Sequence, residues 1–75
     1  MLINQVVELE EKIKARKNYL NQTDYVVIKL AEAVALNDVN KIEVLQQTYK
    51  ETIEIRKKAR EEIELFQKEL KNLNQ

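Results

Sequence analysis

Thr23-Asp24-Tyr25-Val26-Val27-Ile28-Lys29-Leu30-Ala31-Glu32-Ala33-Val34-Ala35-Leu36 is the most apolar run of the chain, and the polar segment Asn37-Asp38-Val39-Asn40 follows it directly. Taken alone, Tyr25-Val26-Val27-Ile28 has the β-branched and aromatic character of a strand. No second strand candidate exists to pair with it, so the stretch reads as helix. Residues on either side of 37–40 can be laid against each other almost position by position, which makes that segment the tip of a helical hairpin. Asn37, Asp38 and Asn40 all tolerate turn geometry, and Asp38 or Asn40 can cap the following helix.

Working outward, the first arm (residues 2–36) repeats apolar residues at Leu2, Val6, Leu9, Ile13 and Leu20 in alternating steps of four and three. That is the seam of a coiled coil, and the same frame continues through Thr23, Val27, Leu30 and Val34. The polar cluster Asn21-Gln22-Thr23-Asp24 offers Thr23 or Asp24 as the cap of a new helix. The first arm is therefore expected to be continuous or mildly kinked near residues 21–24. The second arm (residues 41–74) reads Ile42, Leu45, Tyr49, Thr52, Arg56, Ala59, Ile63, Phe66, Leu70 and Leu73, again in unbroken threes and fours. Folding the arms antiparallel about the turn pairs Leu2 with Leu73, Val6 with Leu70, Leu9 with Phe66 and Ile13 with Ile63. Arg16 then meets Ala59, Leu20 meets Arg56, Thr23 meets Thr52, Val27 meets Tyr49, Leu30 meets Leu45 and Val34 meets Ile42. One register serves every layer, in arms of about 50 Å at about 1.5 Å per residue. Outside the seam, Glu8–Lys12, Glu10–Lys14, Glu54–Lys58 and Glu64–Lys68 have the favourable i,i+4 order.

Composition agrees. Among 75 residues there is no Gly, Pro, Cys or His, and 35% are charged. Without Gly, the tight loops that cradle phosphates or raise a nucleophile are missing. Without Cys and His there are no disulfides, thiolate–imidazole zinc sites or imidazole bases. The expected class is all-α, a single antiparallel two-helix hairpin assembling into a multi-helix bundle. A core this small usually needs reinforcement, and oligomerisation is the remaining route. The 13 basic and 13 acidic residues cancel. That balance argues against a dedicated nucleic-acid binder. No apolar run is long enough to span a bilayer, and the N-terminus lacks a basic leader, so an intracellular setting without membrane contact is expected.

Two features go beyond the hairpin. Arg16, Thr23, Thr52 and Arg56 are polar occupants of the seam. The long arginines can snorkel to Glu side chains or water, or the polar layers can fix register and oligomer state. Tyr25, Val26, Ile28, Ala31, Ala33 and Ala35, with Val44, Ile53 and Ile55, lie off the seam near the turn, and Ile3, Val7 and Leu65 do so at the other end. Two helices cannot bury these as well, so they mark an association surface. The candidate contact residues are Tyr25, Val26, Ile28, Lys29, Ile53 and Ile55.

No catalytic, cofactor or metal residues are assigned. Glu61-Glu62-x-Glu64 and Glu8-x-Glu10-Glu11 gather carboxylates as di-metal bundles do, but on outward positions and without His. The clusters Lys12-x-Lys14-x-Arg16-Lys17 and Arg56-Lys57-Lys58-x-Arg60 form a basic band that neighbouring glutamates largely neutralise. A coiled-coil regulatory or nucleic-acid-associated adaptor using this band is the alternative function.

Tyr19-Leu20-x-x-Thr23-Asp24-Tyr25-Val26-Val27-Ile28-Lys29-x-Ala31-Glu32 resembles a "leucine, two residues, Thr/Ser-Asp-aromatic" segment. It is found in small helical proteins of tailed bacteriophages and prophages, and near the C-termini of tail-fibre or tail-assembly-chaperone-like proteins. There a helix with an Arg-x-x-aromatic-Arg-x-x-Ile pattern follows a short turn; here Arg56, Ala59, Arg60 and Ile63 occupy that place. The resemblance covers roughly residues 13–66 and departs at Ala59, where the similar proteins often carry an aromatic. It implies a non-enzymatic structural or tail-assembly role, a homo-oligomer that also docks on another phage protein, and a location in the bacterial host cytoplasm during assembly or in the virion. Tyr25, Ile28 and Lys29 are the matching residues most open to a partner.

Overall fold

A computed structural model describes residues 2–73. These are all-helical, with no strand among them: α1 is Leu2–Ala35, α2 is Val39–Thr48 and α3 is Lys50–Leu73. α1 packs on both α3 and α2. Cross-contacts run in opposite order along the partners. Lys12 meets Phe66, Arg16 meets Glu62, Thr23 meets Arg56, and Tyr25 meets Tyr49. The result is a rod of 53 × 17 × 14 Å, as long as its 34-residue first helix.

The turn is shorter than the expected 37–40. Asn37 takes the left-handed conformation with φ 55°. The amide of Asp38 donates to Ala33 O and that of Asn37 to Val34 O, both at 3.0 Å. This 6→1 and 5→2 pair is a Schellman closure, with Asn in the place where Gly is usual. Asp38 then caps α2, its Oδ1 accepting from the Lys41 amide at 3.1 Å. The turn chemistry read from the sequence is what closes one helix and opens the next.

The first arm, expected to be continuous or mildly kinked near residues 21–24, is one unbroken helix through them. The Thr23 hydroxyl donates back to Tyr19 O at 2.8 Å instead of capping a new helix. That is the ordinary option for a threonine inside a helix. The interruption lies in the second arm, expected as one helix over 41–74, at Tyr49 (φ −110°, ψ 21°). It is a bend rather than a gap, because the Tyr49 amide donates to Leu45 O and the Ile53 amide to Tyr49 O, each at 2.9 Å. Residue 74 and the Leu2 side chain, to which the sequence assigned an arm end and a layer with Leu73, lie outside the described residues.

Leu9, Ile13, Leu45, Arg56, Ala59 and Ile63 of the expected seam are buried, and most of its other residues are half-buried. Towards the tip of α1 the frame changes. Val26 and Ala33 are 0% and 1% exposed, whereas Val27 and Val34, the expected seam residues, are 46% and 58% exposed. The buried line therefore steps 20, 23, 26, 30, 33 instead of 20, 23, 27, 30, 34. Two consecutive steps of three are a stammer, which carries the contact line around the helix faster than a heptad does. The Tyr25 and Tyr49 rings touch, so the stammer on α1 faces the bend on the other arm. Val26/Val27 and Ala33/Val34 are adjacent apolar pairs, and periodicity had no means of choosing within them.

Candidate functional site

Some of the residues singled out from the sequence, Thr23, Tyr25, Lys29 and Arg56, lie near this bend. Arg56 is 7% exposed, yet it donates from Nη1 to Leu20 O at 2.7 Å and to Thr23 Oγ1 at 2.6 Å. From Nη2 it reaches Asp24 Oδ1 at 3.0 Å. Snorkelling to solvent is thus ruled out for Arg56, because the guanidinium points across the seam into the backbone and side chains of α1. Thr23 relays the contact, accepting from Arg56 while donating to Tyr19 O. No buried side-chain nitrogen or oxygen among the described residues lacks a partner. Arg56 thus sits in a polar layer with Leu20, Thr23 and Asp24 in which its buried charge is fully paired.

Arg16 behaves as the snorkelling reading expected. It is half-buried, pairs with Glu62 Oε2 at 3.4 Å and lies 5.3 Å from the centre of the Phe66 ring. Lys12 Nζ lies 5.7 Å from the same ring centre and 3.7 Å from Glu8. Thr52 is half-buried on the seam.

Beside the arginine layer, Tyr25 and Tyr49 meet edge to face with ring centres 6.0 Å apart. Lys29 Nζ lies 5.5 Å and 5.8 Å from the two ring centres and 3.5 Å from the Tyr49 hydroxyl. This cluster fastens α1 to the bend, and geometry of this kind adds a modest cation–π attraction at an exposed site.

Of the six candidate contact residues, Val26 must be withdrawn. It is fully enclosed and unavailable to a partner. Tyr25, Ile28 and Ile55 are exposed large side chains, Lys29 is exposed over the tyrosines, and Ile53 is half-buried. They do not form one patch. Ile53 joins Val27, Leu30, Ala31 and Val34 in a groove bordered by Arg56 and Arg60. Ile55 lines a different groove with Ala15, Arg16, Tyr19, Lys58 and Glu62. Sequence reading missed Val27 and Val34 as surface residues, and Phe66 as the platform for two cations.

The basic band is thinner than the sequence suggested. Arg56 is interior, Arg16 is paired, and Lys12 lies over Phe66 beside Glu8. No group of three or more acidic, His or Cys side chains among the described residues is arranged to hold a metal ion. No described helix is long and apolar enough to cross a membrane. Comparison with protein-family models, curated proteins and solved structures gives no match.

Proposed function

We propose that the chain is a non-enzymatic structural or assembly protein of phage or prophage origin. It works as a coiled-coil-like helical hairpin that self-associates into a multi-helix bundle and docks on another phage protein. The observation that carries the self-association reading is the apolar surface left open by the folded pair: Val27, Ile28, Val34, Leu36, Val39 and Val44 are all exposed at the tip. Monomeric proteins rarely leave contiguous apolar area of this kind uncovered. The phage part rests on the resemblance over residues 13–66, with Tyr25, Ile28 and Lys29 exposed for a partner. The setting is the bacterial host cytoplasm during particle assembly, or the virion.

Two experiments test the parts separately. Light scattering on a size-exclusion column at tens of micromolar reads the mass, and a value of 8.9 kDa would end the self-association reading. The neighbouring genes test the phage assignment. Tail or holin genes beside this one support it, and a setting of unrelated housekeeping genes overturns it. The adaptor alternative predicts salt-dependent retention on DNA at physiological ionic strength. The engagement of Arg16, Arg56 and Lys12 within the fold leaves that reading less to work with.

A further inference from the structure

We infer that the groove lined by Val27, Leu30, Ala31, Val34 and Ile53 is the seat of a second copy of this chain, docked antiparallel with the two α1 helices crossing near Ala31. The inference rests on the proposed self-association and names its surface.

The first support is the width of the apolar arc on α1. At about 100° per residue, Ala33, Val26, Leu30, Val34, Val27, Ala31, Ala35 and Ile28 follow one another around roughly 220° of the helix. Lys29 and Glu32, the only charged residues between Val26 and Leu36, occupy the remaining side. A helix facing one neighbour needs an apolar stripe of about 100°. The tip of α1 carries about twice that, and of this arc only Val26 and Ala33 are buried. The stammer makes the point sharper. α1 buries Ala33 against its own chain and leaves the larger Val34 outside, an arrangement that wastes apolar surface unless a second neighbour covers it.

The second support is the apolar side chain left open on this face: Val27 and Val34 are 46% and 58% exposed, and Ala31 between them is exposed as well.

Charge selects this groove over the others and a like copy over an unlike partner. Its centre is uncharged, so two copies can meet face to face without repulsion, and its arginines lie at one end. An antiparallel two-fold, the commonest symmetry of soluble dimers, brings the Arg60 end of one copy towards Asp38 and the C-terminal carbonyls of α1 in the other, a favourable pairing. The groove beside Ile55 has Arg16, Lys58 and Glu62 within it, and a second copy would have to desolvate them. Ala31 and Ala35 are small enough for the helices to approach closely, towards the lower end of the usual 8–10 Å.

The native chain has no cysteine, which makes single-cysteine cross-linking clean. Ala31→Cys and Ile55→Cys, each at an exposed position, are treated with a short bismaleimide at micromolar concentration. The expected result is a covalent dimer for Ala31→Cys and little for Ile55→Cys. Ala31→Glu is measured alongside, and it should bring the mass down to about half that of the native protein while helicity by circular dichroism is kept. An oligomeric native protein that cross-links equally or better through Ile55→Cys overturns this surface and leaves self-association standing. A native protein that is monomeric by light scattering overturns both.

Discussion

Removing the Asp24 carboxylate tests whether Arg56 is held as a charge across the seam. In Asp24→Ala the Arg56 guanidinium keeps Leu20 O and Thr23 Oγ1 but loses the acceptor at 3.0 Å. A hydrogen bond to a charged group contributes about 1.5–3 kcal/mol. The value here belongs at the lower half of that range, because the Asp24 side chain is 54% exposed and solvent screens it. Alanine recovers about 0.5 kcal/mol of helix propensity inside α1. The expected net cost is about 1 kcal/mol. The second arm of the cycle is Arg56→Leu. Without the guanidinium, Asp24→Ala should become neutral or stabilising by about 0.5 kcal/mol, giving a coupling of about 1.5 kcal/mol. Arg56→Leu alone should cost little, because an apolar side chain can fill the seam and Thr23 still donates to Tyr19 O, consistent with the general behaviour of buried charges. Urea unfolding followed by circular dichroism, at one fixed protein concentration, measures all four proteins. The reasoning is refuted if Asp24→Ala has the same effect with Arg56 and with Leu at that position.

The altered frame of α1 predicts an asymmetry between neighbours. Val26→Ala should destabilise the fold by about 1.5–3 kcal/mol through lost burial and a cavity, and Val27→Ala should leave the unfolding of an isolated protomer nearly unchanged while weakening association; urea melts at high and low protein concentration separate the two effects. At the turn, Asn37→Ala should cost about 1 kcal/mol, because alanine bears the full left-handed penalty, and Asn37→Gly should be neutral or slightly stabilising; paired thermal melts read the order. Asp38→Ala removes the cap of α2 and should cost about 1 kcal/mol, with amide exchange rising first at Lys41, whose N–H loses its acceptor.

Much of the architecture was legible because it depends on local chemistry. The absence of Gly and Pro, the threes and fours of the seam and the Asn/Asp segment together point to helices joined by a turn, expected at 37–40 and found at 36–38. Residue type offered Asp38 or Asn40 as the cap of the next helix, and the structure selects Asp38. What the sequence hid were choices between near-equal options. Val26 and Val27 are the same residue type, so periodicity could not choose between them, and no Gly or Pro announces the interruption at Tyr49. The polar cluster at 21–24 offered a cap or mild kink, but two of its residues serve Arg56 from within an unbroken helix, Thr23 with a hydroxyl and Asp24 with a carboxylate, beside the carbonyl of Leu20. Of the candidate contact residues, Tyr25, Ile28, Lys29 and Ile55 are exposed, Ile53 is half-buried and Val26 is enclosed. They were picked by exclusion from a heptad frame that stops applying after Thr23, so Val26 was put outside and Val27 and Val34 inside.

The central claim is that one folded pair of helices is incomplete and that a second copy finishes its core. The most direct test is the thermal midpoint of the native protein, followed by circular dichroism across a hundredfold range of concentration. If folding and association are coupled, that range changes the stability per protomer by about 1.4 kcal/mol. For a chain of this length the midpoint should rise by about 5–10 °C from the most dilute to the most concentrated sample. A midpoint that stays constant over the whole range, with a single cooperative transition, would contradict the account.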